Sequence, residues 1–344
     1  MKAAPVMLAL QQRSGIRQTL VHTGQHYDKN MSGVFFEQLG IPAPDVNLEV
    51  GSGTHAQQTA EIMSRFEPVV LAHQPDLVLV YGDVNSTMAA GVVCSKLLVP
   101  AGHVEAGLRS LDRSMPEEIN RLITDQLADI LFTPSADGDR NLLREGISPD
   151  KIHRVGNVMI DSLVRFLPAA MRCERDGLPS RYALVTLHRP SNVDDGADLK
   201  RILECLLQVN EELKVVFPVH PRTRQKIVEF GIDTTNLHLL EPVPYIEFLA
   251  LQARAAVVIT DSGGIQEETT YLKVPCLTLR NNTERPVTTE IGTNILVGQN
   301  TEKLRAELSN IMQGKTKAGA IPPLWDGHAS ERIADILVGR DQRI

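Results

Sequence analysis

Apolar positions recur at helical spacing from the first residues: Ala3, Ala4, Val6, Met7, Leu8, Ala9 and Leu10 form one face of "MKAAPVMLALQQ". Beyond it the period alternates between strand and helix. The run "TLVHTGQ" predicts a strand, and 30–39 a helix ending at Gly40. "DLVLVYGD" is a strand before a helix over 86–97, and "AGHVEAG" a short strand and loop before a helix over 116–128. "ILFTPS" precedes a helix over 135–145, and "HRVGN" follows it. Near-continuous apolar strands between helices predict a parallel sheet covered on both faces. In such chains a strand normally comes first, and here a helix does.

The alternation pauses at 157–181, where the helix "VMIDSLVRFLPAAM" runs into polar "RCERDGLPSR". This is the predicted domain boundary. Strands then recur at "YALVTLH", "KVVFPVH", "LHLLEP", "AAVVITDS", "PCLTLR" and "NILVG". The helices of this half are predicted over 195–210, 222–230, 244–253, 264–272, 301–312 and 328–338. The chain therefore reads as α/β, with two doubly wound domains in tandem. Open parallel sheets bind ligands outside the carboxyl ends of their strands, which predicts an active site in the cleft between two facing domains.

Composition narrows the function classes. The chain has 344 residues, 42% of them hydrophobic and 22% charged, as in an ordinary globular protein. A formal net charge of -7 argues against a nucleic-acid-coating protein. Neither a membrane-spanning run nor a signal peptide is predicted. Cys94, Cys173, Cys205 and Cys276 form no CxxC pair and read as thiols outside metal or redox chemistry. Together these features predict a cytoplasmic protein.

Reactive side chains gather at strand ends: Asp83; His103, Glu105 and Arg109; His188 and Arg189; His220, Arg222 and Arg224; Asp261 and Ser262. In "TDSGGIQEE" a strand meets a helix through Ser-Gly-Gly. Glycines permit close backbone approach, and helix-start amides favour phosphate. Ser262 is a further donor, and Glu268 is placed to grip ribose hydroxyls. The alternative is a plain helix cap by Asp261 or Ser262. With Arg285 downstream in "RNNTERP", a nucleotide diphosphate is the better fit. "MPEEINRLITDQLAD" puts adjacent carboxylates at a helix start, as dipole-matched charge or as one acid working with Asp83 and Glu105. Three carboxylates around one site raise one another's affinity for protons, which suits proton transfer at carbon. No metal is implied, since H-x-E in "GHVEAG" lacks a partnering P-C-x-x-C. Walker A and strand-borne GxGxxG motifs are also missing.

Taken in order, "GHVEAGLRS", "MPEEINRLITD", "VGNVMIDSL", "TLHRPSN", "TDSGGIQEE", "PCLTLRNNTERP" and "GTNILVG" resemble the non-hydrolysing UDP-N-acetylglucosamine 2-epimerases over nearly the whole chain. The resemblance implies a GT-B-like fold: an amino-terminal Rossmann-like domain over 1–160, a UDP-binding domain over 161–325, and a helix over 326–344 crossing back to the first domain. It implies a homodimer acting on a UDP-sugar, without cofactor, nucleic acid or membrane. It assigns Lys2, Asp83, Glu105, Glu117 and His188 to catalysis, with the three carboxylates as acids and bases and His188 at the diphosphate and sugar. Ser262, Gly263 and Gly264 would cradle phosphate, Glu268 hold the ribose, and Arg285 hold the sugar or phosphates. Phe248 would lie against uracil, its alternative being core packing.

The chain departs from the family pattern in three places. "GDVNST" replaces G-D-T-T-T but keeps the acid and hydroxyls, and "GQHYDKNM" keeps Gln25 and His26 but lacks the Arg-Glu pair of substrate-activated members, which argues against that activation. "MKAAPV" falls on the family's first helix, so the first strand and its loop are missing, with Lys2 on the functional lysine. The expectation is a shortened reading frame, a divided amino-terminal sheet and slow turnover. The rival readings are a hydrolysing epimerase, an epimerase of a modified UDP-sugar, a retaining glycosyltransferase, and a nucleotide-sugar-binding protein without turnover.

Overall fold

The computed structural model describes residues 1–24 and 40–341. The predicted helix over 30–39, together with Gln25 and His26, lies outside them. Two compact units divide the chain, Met1–Ser162 with Pro323–Ile344, and Leu163–Pro322.

The first unit begins with α1 (Ala3–Gln11). Parallel strands β1 (Val21–His22) and β2 (Val46–Asn47) form a two-stranded sheet. The long helix α2 (His55–His73) follows, its start fixed by a reciprocal capping box between Thr54 and Gln57. Strands β3 (Val78–Tyr81), β4 (Ala101–Val104), β5 (Ile130–Thr133) and β6 (Ile152–Arg154) form a second parallel sheet in that order. Helices α3 (Asn85–Leu97), α4 (Pro116–Leu127) and α5 (Ala136–Arg144) connect them. Among the described residues the amino-terminal sheet is thus in two pieces, which share one apolar cluster of Val21, Val46 and Leu48 with Phe66, Val80 and Val93.

Helix α6 (Val158–Arg172) leads into the second unit, and α14 (Ala329–Asp341) belongs to the first. Val6, Ala9 and Leu10 of α1 pack with Ala329, Ile333 and Ala334 of α14 and with Val104, Ile130 and Phe132 of the sheet. Asp161 accepts from the amides of Ala329 (3.1 Å) and Ser330 (2.6 Å), which caps the start of α14 and gives "VGNVMIDSL" a structural role. Ser162 Oγ donates to the Met1 carbonyl at 3.1 Å, so the segment bearing Lys2 is held rather than free.

The second unit is one six-stranded parallel sheet ordered β12-β11-β10-β7-β8-β9. Its strands are β7 (Tyr182–Thr186), β8 (Lys214–Pro218), β9 (His238–Leu240), β10 (Val257–Thr260), β11 (Cys276–Thr278) and β12 (Asn294–Leu296). Counted within the unit this is the order 3-2-1-4-5-6, which reverses between β7 and β10. Ligands bind at such a switch point. Helices α7 (Pro190–Val193), α8 (Gly196–Glu212), α9 (Pro221–Glu229), α10 (Tyr245–Arg254), α11 (Gly263–Leu272), α12 (Pro286–Glu290) and α13 (Thr301–Met312) complete the unit.

Candidate active site

Each unit gathers polar side chains at the carboxyl ends of its strands. In the first, the register pairs Tyr81 with Val104, so the turn after β3 lies beside the end of β4. Gly82 takes a left-handed φ of +69°, and its missing side chain leaves room for Lys2, whose Nζ is 2.7 Å from where a Cβ would stand. Lys2 forms an ion pair with Glu105, which is 5% exposed and itself sits at φ +76°. A non-glycine residue held there is strained, a feature that clusters at functional sites. Asp83 pairs with Arg121 Nη1 at 2.5 Å, and its carbonyl accepts from Asn120 Nδ2 at 2.9 Å.

The two acids at the start of α4 separate cleanly. Glu118 is buried and accepts from the Ser110 amide (2.9 Å), the Ser110 hydroxyl (3.0 Å), the Leu111 amide (3.0 Å) and Arg121 Nη2 (2.7 Å). Its work is to hold the loop after β4. Glu117 is half-buried and, among the described residues, has no hydrogen-bond or ion-pair partner. It stands one helical turn before Arg121, on the face that meets Asp83. Lys2, Asp83, Glu105 and Glu117 are thereby drawn to one region, with a cation on two of the three acids. Arg121 was not singled out in the sequence, although its four-residue spacing from Glu117 is the signal that finds it.

In the second unit a pocket of about 190 Å³ opens at the switch point, lined by Thr186, His188, His220, Phe248, Ser262 and Ile265 among others. His188 Nδ1 lies 2.9 Å from Asp261 Oδ1, while Asp261 Oδ2 accepts from the amides of His188 (3.0 Å) and Arg189 (2.9 Å) and from Asn192 Nδ2 (3.1 Å). Burial pushes the Asp261 carboxyl up, but His188 and these donors outweigh it and leave it below the usual value. Ser262 occupies the N-cap position of α11 without a side-chain capping bond, so its hydroxyl stays with the pocket and the plain-cap alternative falls. Phe248 both lines the pocket and packs on the core. His220, whose ring centroid is 6.1 Å from that of His188, is a pocket residue the site assignment omitted.

Three assigned residues meet groups of the chain itself. Arg285 is 6% exposed and forms ion pairs with Glu284 and, through Nε at 2.9 Å, with Glu267. A Cβ on Gly263 would stand 2.5 Å from Arg285 Nη1 and 2.6 Å from Glu284 Oε1, so the missing side chain makes room for the chain's own ion pair. Gly264 follows it half-buried in the first turn of α11. Glu268 is buried with both oxygens engaged, by Tyr245 Oη at 2.9 Å and Gln252 Nε2 at 2.6 Å, and does not line the pocket. Burial pushes its carboxyl above the usual value against those two hydrogen bonds.

Glu118, Asp125, Asp261 and Glu284 all have folded values below their unfolded ones, because nearby cations and amides outweigh burial. A depressed folded value contributes stability that is complete above the unfolded value and lost as pH falls toward the folded one. Urea unfolding followed by circular dichroism is expected to show near-constant stability at neutral pH and a steep fall below about pH 4.5. Constant stability down to pH 3 would contradict these pairings.

Among the described residues no group of three or more His, Cys, Asp or Glu is arranged to hold a metal ion. Residues 8–338 match the family model described as UDP-N-acetylglucosamine 2-epimerase. The chain is 44% identical to the UDP-N-acetylglucosamine 2-epimerase of Methanocaldococcus jannaschii, over 98% of this chain and 95% of that one. It is 43% identical to a UDP-2,3-diacetamido-2,3-dideoxy-D-glucuronate 2-epimerase of Pseudomonas aeruginosa, with the same two coverages. It is also similar to the crystal structure of the M. jannaschii UDP-GlcNAc 2-epimerase in complex with UDP-GlcNAc and UDP, at a TM-score of 0.90 and 43% identity, covering 98% of this chain and 96% of that one.

Proposed function

This chain belongs to the UDP-N-acetylglucosamine 2-epimerase family, and on that premise we propose that it interconverts UDP-N-acetylglucosamine and UDP-N-acetylmannosamine by elimination and re-addition of UDP. One carboxylate of the first unit takes the proton from the second sugar carbon. The bond from the anomeric carbon to the UDP oxygen breaks, its electrons leave with UDP, and a carbon–carbon double bond remains. UDP then adds back to the anomeric carbon, and a second acid returns a proton to the opposite face of the neighbouring carbon. Atoms and electrons balance without a redox cofactor.

The observation that carries this reading is the grouping of Asp83, Glu105 and Glu117 around Lys2 and Arg121. Acids on opposite faces of one carbon are what inversion needs. In the second unit, His188 and Ser262 line a pocket at the switch point, fitting a diphosphate leaving group. Phe248 supplies an aromatic wall for a base. The reading extends to a homodimer working in the cytoplasm. Among the described residues no helix is long and apolar enough to cross a membrane.

The Pseudomonas relative is nearly as similar as the archaeal one, so a diacetamido uronic acid carried on UDP is the second reading. Both UDP-sugars should be incubated with the protein in deuterium oxide and followed by proton NMR. The expected result is UDP-linked N-acetylmannosamine, with deuterium entering the second sugar carbon. Free sugar plus UDP would point to a hydrolysing enzyme, and binding without exchange to a protein that only holds the nucleotide sugar.

A further inference from the structure

His103 lies within β4 and is fully buried. Its Nε2 is 2.8 Å from the Gly82 carbonyl, and its Nδ1 is 2.6 Å from Asp125 Oδ1. Asp125 lies on α4, two turns after Glu117 and near the same helix face. Its other oxygen accepts from the Gly107 amide at 3.1 Å and from Arg109 Nη1 at 2.7 Å. Arg109 in turn binds Glu145 through Nε at 2.8 Å and Nη2 at 2.6 Å.

One imidazole therefore ties together the three elements that carry the proposed acids. Gly82 immediately precedes Asp83, Glu105 follows His103 by two residues, and Glu117 shares a helix with Asp125. Each ring nitrogen faces an acceptor. A carbonyl cannot donate, so the contact at Gly82 is a hydrogen bond only if Nε2 carries the proton. A bare Nε2 would leave a buried carbonyl facing a lone pair, which buried polar groups avoid.

We propose that His103 is a positioning residue for the epimerisation, a buried imidazole whose Nε2–H holds the Gly82 carbonyl and so fixes the Asp83 turn against the end of β4 and α4. The proposal rests on the assignment of Asp83, Glu105 and Glu117 as the acids. His103 touches no substrate; it acts through the Gly82–Asp83 peptide. The left-handed turn at Gly82 is held by few bonds, its amide donating to the Val104 carbonyl at 3.1 Å and the Asp83 carbonyl accepting from Asn120. Loss of the imidazole donor removes one of these three bonds to the Gly82–Asp83 backbone and leaves the Asp83–Arg121 ion pair in place.

Two near-isosteric variants separate the two contacts. His103→Asn keeps a donor where Nδ1 meets Asp125 and removes the one at Gly82, whereas His103→Gln keeps a donor toward Gly82. His103→Asn is expected to lower kcat about 30-fold with KM within about threefold, and His103→Gln to stay within about fivefold of wild type. A purely structural residue would lower both in proportion to unfolded protein, with kcat per folded molecule unchanged, and that result overturns the proposal. Nitrogen-15 spectra of histidine-labelled wild-type protein at pH 7.5 supply a readout that needs neither a variant nor turnover. A proton on His103 Nε2 supports the proposal, and a bare Nε2 overturns it. If the wild-type protein does not epimerise, the functional reading fails while the ring spectrum still decides the tether.

Discussion

Replacing Glu105 with glutamine is expected to lower kcat for epimerisation by about 10³-fold, while UDP affinity stays within a few-fold of wild type. The side chain keeps its size, so the buried site at the end of β4 stays filled. What changes is the ability to carry a proton. The backbone at φ +76° is set by the chain on either side and by the amides of Glu105 and Ala106, which both donate to the Phe132 carbonyl at 3.0 Å. None of these contacts involves the carboxylate, so the strained turn survives the change. Lys2 loses its counter-charge in a half-buried place, which lowers stability modestly; a urea melt measures this apart from turnover. The catalytic loss is checked by deuterium exchange at the second sugar carbon. A variant retaining more than a tenth of wild-type exchange would remove Glu105 from the proton-transfer steps.

Most strands were legible in the sequence because a doubly covered parallel strand must be apolar on both faces, as the buried Val257–Thr260 and Ile130–Thr133 show, whereas the two-residue β2 (Val46–Asn47) was not. Helix α13 falls on its predicted bounds because Asn300 caps it and polar sequence follows it. Helix α2 went unread, although it is the longest described helix of the first unit. Its buried apolar residues, Ile62, Phe66 and Val70, form a stripe one residue wide at four-residue steps, too narrow to dominate a composition-led reading. The capping box at Thr54 and Gln57 was the better signal.

The candidate site shows the same division. Register in a parallel sheet aligns strand ends, so polar residues just past apolar runs were found together. Pairing across the sheet was not readable. Whether Glu117 or Glu118 is the free acid depends on about 100° of helix rotation relative to the loop at Ser110 and Leu111. That Arg285 and Glu284 fill the space beside Gly263 depends on where the loop bearing Glu284 folds back. His103, taken from the sequence for a strand-end polar group, lies inside β4 because Asp125, a residue of another element, supplies its partner.

Changing Asp261 to asparagine is expected to lower kcat about 10²-fold and to destabilise the second unit by about 2–4 kcal/mol. This carboxylate accepts four hydrogen bonds from the His188 ring, two backbone amides and Asn192 while wholly buried. An amide has only one accepting atom. If that oxygen serves the backbone amides of His188 and Arg189, the NH₂ group faces Nδ1 of His188 and reverses the hydrogen bond there. The ring then loses its orienting acceptor and the negative charge beside it, and is no longer held for a departing diphosphate. The alternative flip leaves two backbone donors facing an NH₂, so neither arrangement restores the native set. Because Asp261 acts through the ring, a cycle with His188→Asn should show the double variant close to the worse single one in kcat. Additive losses would mean that Asp261 serves the loop and not the imidazole. UDP titration by calorimetry and thermal unfolding, run on all three variants, separate the loss of leaving-group stabilisation from the loss of folded protein.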